Sequence, residues 1–299
     1  MLISQIRGDD DRTEVVVREG TEAYIVNNAG SLYALAMEAA DQGAKLVDII
    51  SRHGLGAAVD LESAYSENRI LAPISHSDTA HLYVTGCGLT HPGAVTISDA
   101  GQTGVQPDWF FRGNGTTVVG AGTALELPAF ANDGSEQPEI AGIYIIDKTA
   151  TPRRIGFALA NGFSDHVLAR QSAVCLAHSK LRQTAVGPEI MIGALPRSIT
   201  GNARILRNGA PIRERAFLAG EDNMSVAIEN LEVDHFKHAQ FRQPGDVHIH
   251  LFGTVTLSFA DGVKTTADDI FEIEAAAFGL SLRNPMRRTD AVPFAVKAI

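Results

Sequence analysis

What this 299-residue chain has least of is cysteine, tryptophan and positive charge. Its two cysteines, Cys87 and Cys175, lie far apart and form no C-x-x-C pair, which excludes a disulfide scaffold and a cysteine-based zinc site and leaves two thiols expected to be buried. Long apolar runs are missing too. "GAVTIS" and "IAGIYII" stop well short of the roughly 18 residues that a membrane span needs. The opening "MLISQIRGDDDRTE" is acidic where a signal peptide is basic and then apolar, so the cytoplasm is the expected location, with no membrane partner. Lys and Arg number 25 against 35 Asp and Glu, a net charge of −10, and a general nucleic-acid binder is excluded because a phosphate backbone needs a basic face. The local exceptions, "TPRRIG" and "RNPMRR", are short and flanked by turn residues, as solvated surface is.

What is present is enough apolar material, 45% of residues, to bury a large core. Residues 1–72 mix short strands such as "TEVVVREG" and "EAYIVNN" with a helical stretch from Ser31 to His53, opened by serine and closed by Gly54. From Pro73 the pattern becomes many short β-rich runs separated by Gly, Pro, Asn and Asp, among them "AHLYVTGCG", "EIAGIYIID", "ARILRNG" and "GDVHIHLFG". The expected fold class is therefore α+β and β-rich, with a small N-terminal α+β domain (1–72) and a larger β domain (73–299). Two further helices are expected, over "SDHVLARQSAVCLAHSKL" with Ser164 as N-cap and over "NMSVAIENLEVDHFKHA".

The ordered set "PEIAGIYII", "GFALANGFSDHV", "LAHSKL…GPEI", "GTVTLSFADG" and "DIFEIEAAAFG…LRNP" resembles the fumarylacetoacetate hydrolase superfamily, closest to its 2-keto-3-deoxy-sugar-acid dehydratase branch. The resemblance runs over nearly the whole chain. It implies a mixed β-roll or sandwich catalytic domain, a homodimer, and a Mg²⁺ ion held by a Glu-x-Glu pair and a later carboxylate. Such an ion chelates a 2-oxo acid and acidifies the carbon beside the keto group.

Laid on that pattern, the three ligand positions are Gln137, Glu139 and Gly162, so one carboxylate of three remains and tightly bound Mg²⁺ is not expected. Glu136 would fill the gap only by breaking the strand's alternation. Asp165 is either a replacement ligand or a first-turn carboxylate at a helix N-terminus. The stretch "GLTHPGAVTISDAGQTGVQPDWF" is a shorter lid than the resemblance implies, leaving His91 and Asp99 for proton transfer, with His91 the candidate catalytic group. His178 falls near a slot where a lysine often meets the substrate carboxylate. Lys180 or Arg182 would then stabilise an enolate without a metal, which makes Lys180 the second candidate catalytic residue.

Arg112, His178 and Thr254 are the candidate substrate contacts; Thr254 and Thr256 lie in the "GTVT" stretch. Trp109, Phe110 and Phe111 read as core. His235, His238, His248 and His250 fall within sixteen residues, and His248 and His250 share a strand face, but a third ligand is not evident in sequence and a polar strand face is the plainer reading. Three functions remain open: an altered enzyme doing enolate chemistry on a small 2-oxo acid or 1,3-dicarbonyl compound, a non-catalytic relative that binds a metabolite or partner, and an ordinary Mg²⁺-dependent dehydratase. The register itself yields a test: Gln137→Glu with Gly162→Glu is expected to create Mg²⁺ binding, measured by calorimetry.

Overall fold

The computed structural model describes residues 1–88, 90–91, 108–172, 174–254 and 258–299. Asp99 and Thr256, and the central part of the expected lid, lie outside the described residues. The N-terminal part contains β1 (Leu2–Arg7), β2 (Thr13–Glu19), β3 (Glu22–Val26), α1 (Leu32–Asp41), α2 (Leu46–His53), β4 (Leu55–Ala58) and α3 (Leu61–Ser66). There follow β5 (Leu82–Gly88), β6 (Asp108–Asn114), β7 (Val118–Val119), β8 (Leu125–Leu127), β9 (Pro138–Ile146) and β10 (Pro152–Asn161). The chain then forms α4 (His166–Ala169), α5 (Cys175–Ser179), β11 (Thr184–Ile192), β12 (Ile199–Arg207) and β13 (Ala210–Ala219). It closes with α6 (Ile228–Phe236), β14 (Val247–Gly253), β15 (Ile270–Glu274) and β16 (Leu282–Arg288). The fold class is α+β and β-rich, as expected from the alternating runs.

Eleven strands form one sheet, in the order β4-β3-β2-β1-β11-β10-β9-β14-β5-β6 with β7 pairing β11, and five form a second, β13-β12-β15-β16-β8. One large apolar core lies between the sheets, where Phe157 and Leu159 meet Ile205, Phe217, Phe271 and Ile273. On the other face of the long sheet, Ile143, Ile145 and Ile249 pack against Leu32, Leu35 and Ile49 of α1 and α2. Strand β9 is buried at all nine positions because both its faces are covered, and for that reason it reads as a continuous apolar run.

The boundary expected near residue 72 falls in the connector between α3 and β5. Strands on its two sides nevertheless share one sheet, since β1 pairs antiparallel with β11 through Leu2↔Met191 and Ile3↔Ile190.

Two helix expectations are corrected. The stretch from Ser31 to His53 is two helices, broken where Gly43 adopts φ +61°, with Ser31 capping the first by accepting from the Ala34 amide. The helix expected after Ser164 is two short helices, α4 and α5, and the N-cap of α4 is Asp165, whose carboxylate accepts from the Leu168 amide at 2.9 Å. The Ser164 hydroxyl instead donates to the Gly162 carbonyl at 2.7 Å.

Glu189 of β11 is fully buried and accepts from Arg18 Nε at 2.8 Å, Arg18 Nη2 at 2.7 Å and the Leu280 amide at 2.8 Å. It thus ties β2, β11 and the approach to β16 together. Glu189→Ala removes the buried partner of the part-exposed Arg18 guanidinium and is expected to lower stability by about 3 kcal/mol in urea denaturation.

Candidate active site

The start of β9 and the end of β10 are neighbours, with Asn161 opposite Pro138, so Gln137, Glu139 and Gly162 converge at one end of the long sheet. The Gly162 amide donates to the Gln137 carbonyl at 2.9 Å, and the Gln137 amide donates to Asn161 Oδ1 at 3.1 Å. A Cβ on Gly162 would stand 2.4 Å from Glu139 Oε2 and 3.1 Å from Arg112 Nη2. The Glu139 carboxylate occupies the space of the missing side chain, so a larger residue at 162 requires that carboxylate to move aside. Gly253, opposite Glu139 on β14, is similarly close, its Cβ position lying 2.9 Å from Glu139 Oε1 and 2.9 Å from Gln137 Nε2.

Two buried cations act on this carboxylate electrostatically. Arg112, from β6, is completely buried, and its Nη2 donates to the Phe163 carbonyl at 3.1 Å. Among the described residues its Nε and Nη1 have no hydrogen-bond partner, nor does Glu139 Oε2. Lys180, just after α5, donates from Nζ to Gln137 Oε1 at 2.7 Å. Burial pushes the Glu139 carboxyl above its ordinary range while Arg112 and Lys180 pull it back. Burial and the neighbouring Arg112 bring the Lys180 ammonium down to about 7, against the opposing pull of Glu139.

The other expected site residues divide. His91 is buried, with Nδ1 3.0 Å from Thr90 Oγ1, and that hydroxyl donates to the Gly253 carbonyl at 2.9 Å, so His91 is linked to the strand facing Glu139. Burial lowers the His91 imidazole to about 4, which keeps it neutral. Thr254 donates to the Pro138 carbonyl at 2.9 Å, between Gln137 and Glu139. His178 is exposed on α5, outside the buried cluster. Glu136 does not enter the gap: it turns away to accept from Arg213 Nη1 at 2.8 Å and from Ser258, and burial raises it to about 7. Asp165 is the helix-capping carboxylate described above, and Arg182 donates to it at 3.3 Å instead of reaching Glu139.

One site residue escaped the sequence reading. His166, the first residue of α4, is buried with Nε2 unpartnered, and burial together with the charges of Lys180, Arg112 and Arg170 holds it well below its ordinary pKa. The only signal was its place beside Asp165 in "FSDH", and that place served equally well as a helix start.

With this geometry the comparisons can be stated. No family model and no curated protein matches the sequence. Solved structures do. The chain has the fold of 2-keto-3-deoxy-D-arabinonate dehydratase. The structure of that enzyme complexed with magnesium and 2,5-dioxopentanoate superposes with a TM-score of 0.76 at 18% identity, covering 97% of this chain and 100% of the other. Its apo form gives 0.74 at 19% identity, with 97% and 99% covered. A 5-carboxymethyl-2-hydroxymuconate delta-isomerase from Mycobacterium smegmatis gives 0.63 at 17% identity, with 97% and 100% covered. The fold agrees with the resemblance carried by the five sequence motifs, and agrees best on its dehydratase side.

For the restoring pair Gln137→Glu with Gly162→Glu, a side chain at 162 requires the end of Glu139 to swing aside, and Mg²⁺ titration of the double variant is the test of the register. Gly162→Ala alone is expected to lower stability by about 1–3 kcal/mol in urea denaturation, as overpacking does. Lys180 gives a pH test. Its pKa falls from 10.5 to about 7 on folding, so between those values the unfolded chain binds more protons and stability rises with pH. The stability advantage of Lys180→Met over the parent should be largest below pH 7 and shrink as pH approaches 10.5.

Proposed function

We propose that the protein is a divergent fumarylacetoacetate-hydrolase-like enzyme, a homodimer of the cytoplasm, that acts on a small 2-oxo acid or 1,3-dicarbonyl compound by enolate chemistry without tightly bound Mg²⁺. The observation that carries this reading is the placing of Arg112 and Lys180 against Glu139, where the resemblance implies a metal.

The donor set does not fit the ion. Mg²⁺ demands several anionic or neutral oxygens in near-octahedral array. Here one carboxylate lies in the field of two cations, the amide oxygen of Gln137 already accepts from Lys180, and the third position has no side chain. The same two cations supply what an enolate needs, fixed positive charge in a buried site. In our reading the substrate's carboxylate and keto oxygen take the places of the present partners of Arg112 and Lys180.

Glu139, whose Oε2 is unpartnered, then removes the proton on the carbon beside the keto group. The C–H electron pair forms the enolate, with its charge on the keto oxygen beside Lys180. Collapse of the enolate expels the β-hydroxyl, which takes the proton from Glu139 and leaves as water, so atoms and charge balance. His91, linked through Thr90 to Gly253, and His166, in the field of Lys180 and Arg112, are neutral neighbours of the cluster, and Thr254 fixes the backbone between Gln137 and Glu139. Dehydration is preferred to C–C hydrolysis because one carboxylate completes both proton transfers.

The test is turnover of a panel of 2-keto-3-deoxy-pentonates and 2,4-dioxo acids in the presence of a chelator. Activity is expected to survive the chelator and to fall roughly 10²–10³-fold in Lys180→Met and in Glu139→Gln. Activity that vanishes with chelator and returns with Mg²⁺ would overturn the metal-free reading, and no turnover of any member would favour a binding role.

A further inference from the structure

A second polar cluster lies apart from this site. His248 and His250 stand two residues apart on β14 and His235 is on α6; one ring nitrogen from each lies within 4.8 Å of the others. His248 and His250 are 0% exposed and His235 is 2%. Strand register separates the cluster from Glu139. On β14 and β9, His248 faces Tyr144 and His250 faces Gly142, whereas Glu139 is in step with Ala141 and Ile143, so alternation puts the histidines on the opposite face of the sheet.

The surroundings are aromatic. Phe241 stacks on His235 with ring centroids 4.3 Å apart, Phe236 on His250 at 5.1 Å and Tyr83 on His248 at 5.1 Å, and Trp109 packs 4.9 Å from His250. Packing alone does not require imidazoles here, since phenyl rings would fill such a box without polar atoms. As it stands, both ring nitrogens of His250 and Nε2 of His235 are buried without a hydrogen-bond partner among the described residues, and the one polar neighbour of the His248 ring is the Phe241 backbone. Three desolvated rings that each bring one nitrogen to a common region call for a ligand that accepts several lone pairs at once.

We propose that His235, His248 and His250 form a binding site for a divalent transition-metal ion such as Zn²⁺, distinct from the candidate active site, that fastens α6 to β14. Imidazole nitrogens suit Zn²⁺, Co²⁺, Ni²⁺ or Cu²⁺ and discriminate against Mg²⁺. Zn–N bonds of about 2.1 Å in a tetrahedron set nitrogens about 3.4 Å apart. The ion therefore draws the three rings inward from their 4.8 Å limit, and does so between two elements. No carboxylate joins the group among the described residues, so a water or small anion fills the fourth position. Other ties hold α6 as well: Tyr144 donates to Glu232 at 2.8 Å, Arg154 pairs with Glu232, Phe236 packs on Tyr144 and Ile146, and Ile228 and Leu231 are buried in the main apolar core.

The experiment equilibrates the chelator-stripped full chain with Co²⁺ and with Zn²⁺. The expected result is one equivalent bound, visible Co²⁺ bands of a four-coordinate site that Zn²⁺ bleaches, and a higher Tm with Zn²⁺. Affinity should fall about tenfold or more in His250→Ala and in His235→Ala, as loss of a metal ligand entails, and stay unchanged in Glu139→Gln. If those histidine variants do not fold, X-ray absorption of the Zn²⁺-loaded parent decides: three imidazole ligands support the site, and fewer than three overturn it. Absence of Co²⁺ and Zn²⁺ binding up to millimolar metal, or binding that persists in the folded histidine variants, also overturns it.

Discussion

The feature on which the candidate site depends is a shortage of negative charge around one buried carboxylate. Glu139 faces Arg112 and Lys180 in a volume from which water is excluded, and low dielectric makes each of those interactions strong while making any unpaired charge costly. Three particulars follow from it. The carboxylate fills the space beside Gly162, Gln137 turns its oxygen to Lys180, and the Lys180 pKa is brought down to about 7. A protein that binds Mg²⁺ here would need the opposite balance, with carboxylates in excess of cations.

The two sheets make this possible by covering both faces of β9. Because β1 extends the sheet that carries the site, the N-terminal strands contribute to the same continuous hydrogen-bonded layer. The Arg18–Glu189 pair reinforces that join from within the core. The rigid end of β9, held by Asn161 and Thr254, is where the polar groups collect.

Much of the fold was legible because strand patterning is local: "TEVVVREG", "EIAGIYIID" and "ARILRNG" each became a strand, and the cap at Ser31 formed as its side-chain chemistry dictates. The break between α4 and α5 was not legible, because the apolar spacing of "HVLARQSAVCLAHS" suits one helix as well as two. In the site, the absence of carboxylates at 137 and 162 could be counted from the residues, whereas the convergence of Arg112 and His166 on Lys180 depends on long-range pairing that no local pattern encodes. His235 illustrates the same limit: the strand offered two histidines in step, and the third arrives from a helix whose docking only the tertiary structure reveals.

The central claim is that Arg112 and Lys180 do the work of a divalent cation, and calorimetric titration of Mg²⁺ into the chelator-stripped protein, with pyruvate present as a 2-oxo acid, tests it most directly. The account predicts no heat of binding up to millimolar Mg²⁺. Binding at micromolar Mg²⁺ that disappears in Glu139→Gln would contradict it and place the ion on that carboxylate after all.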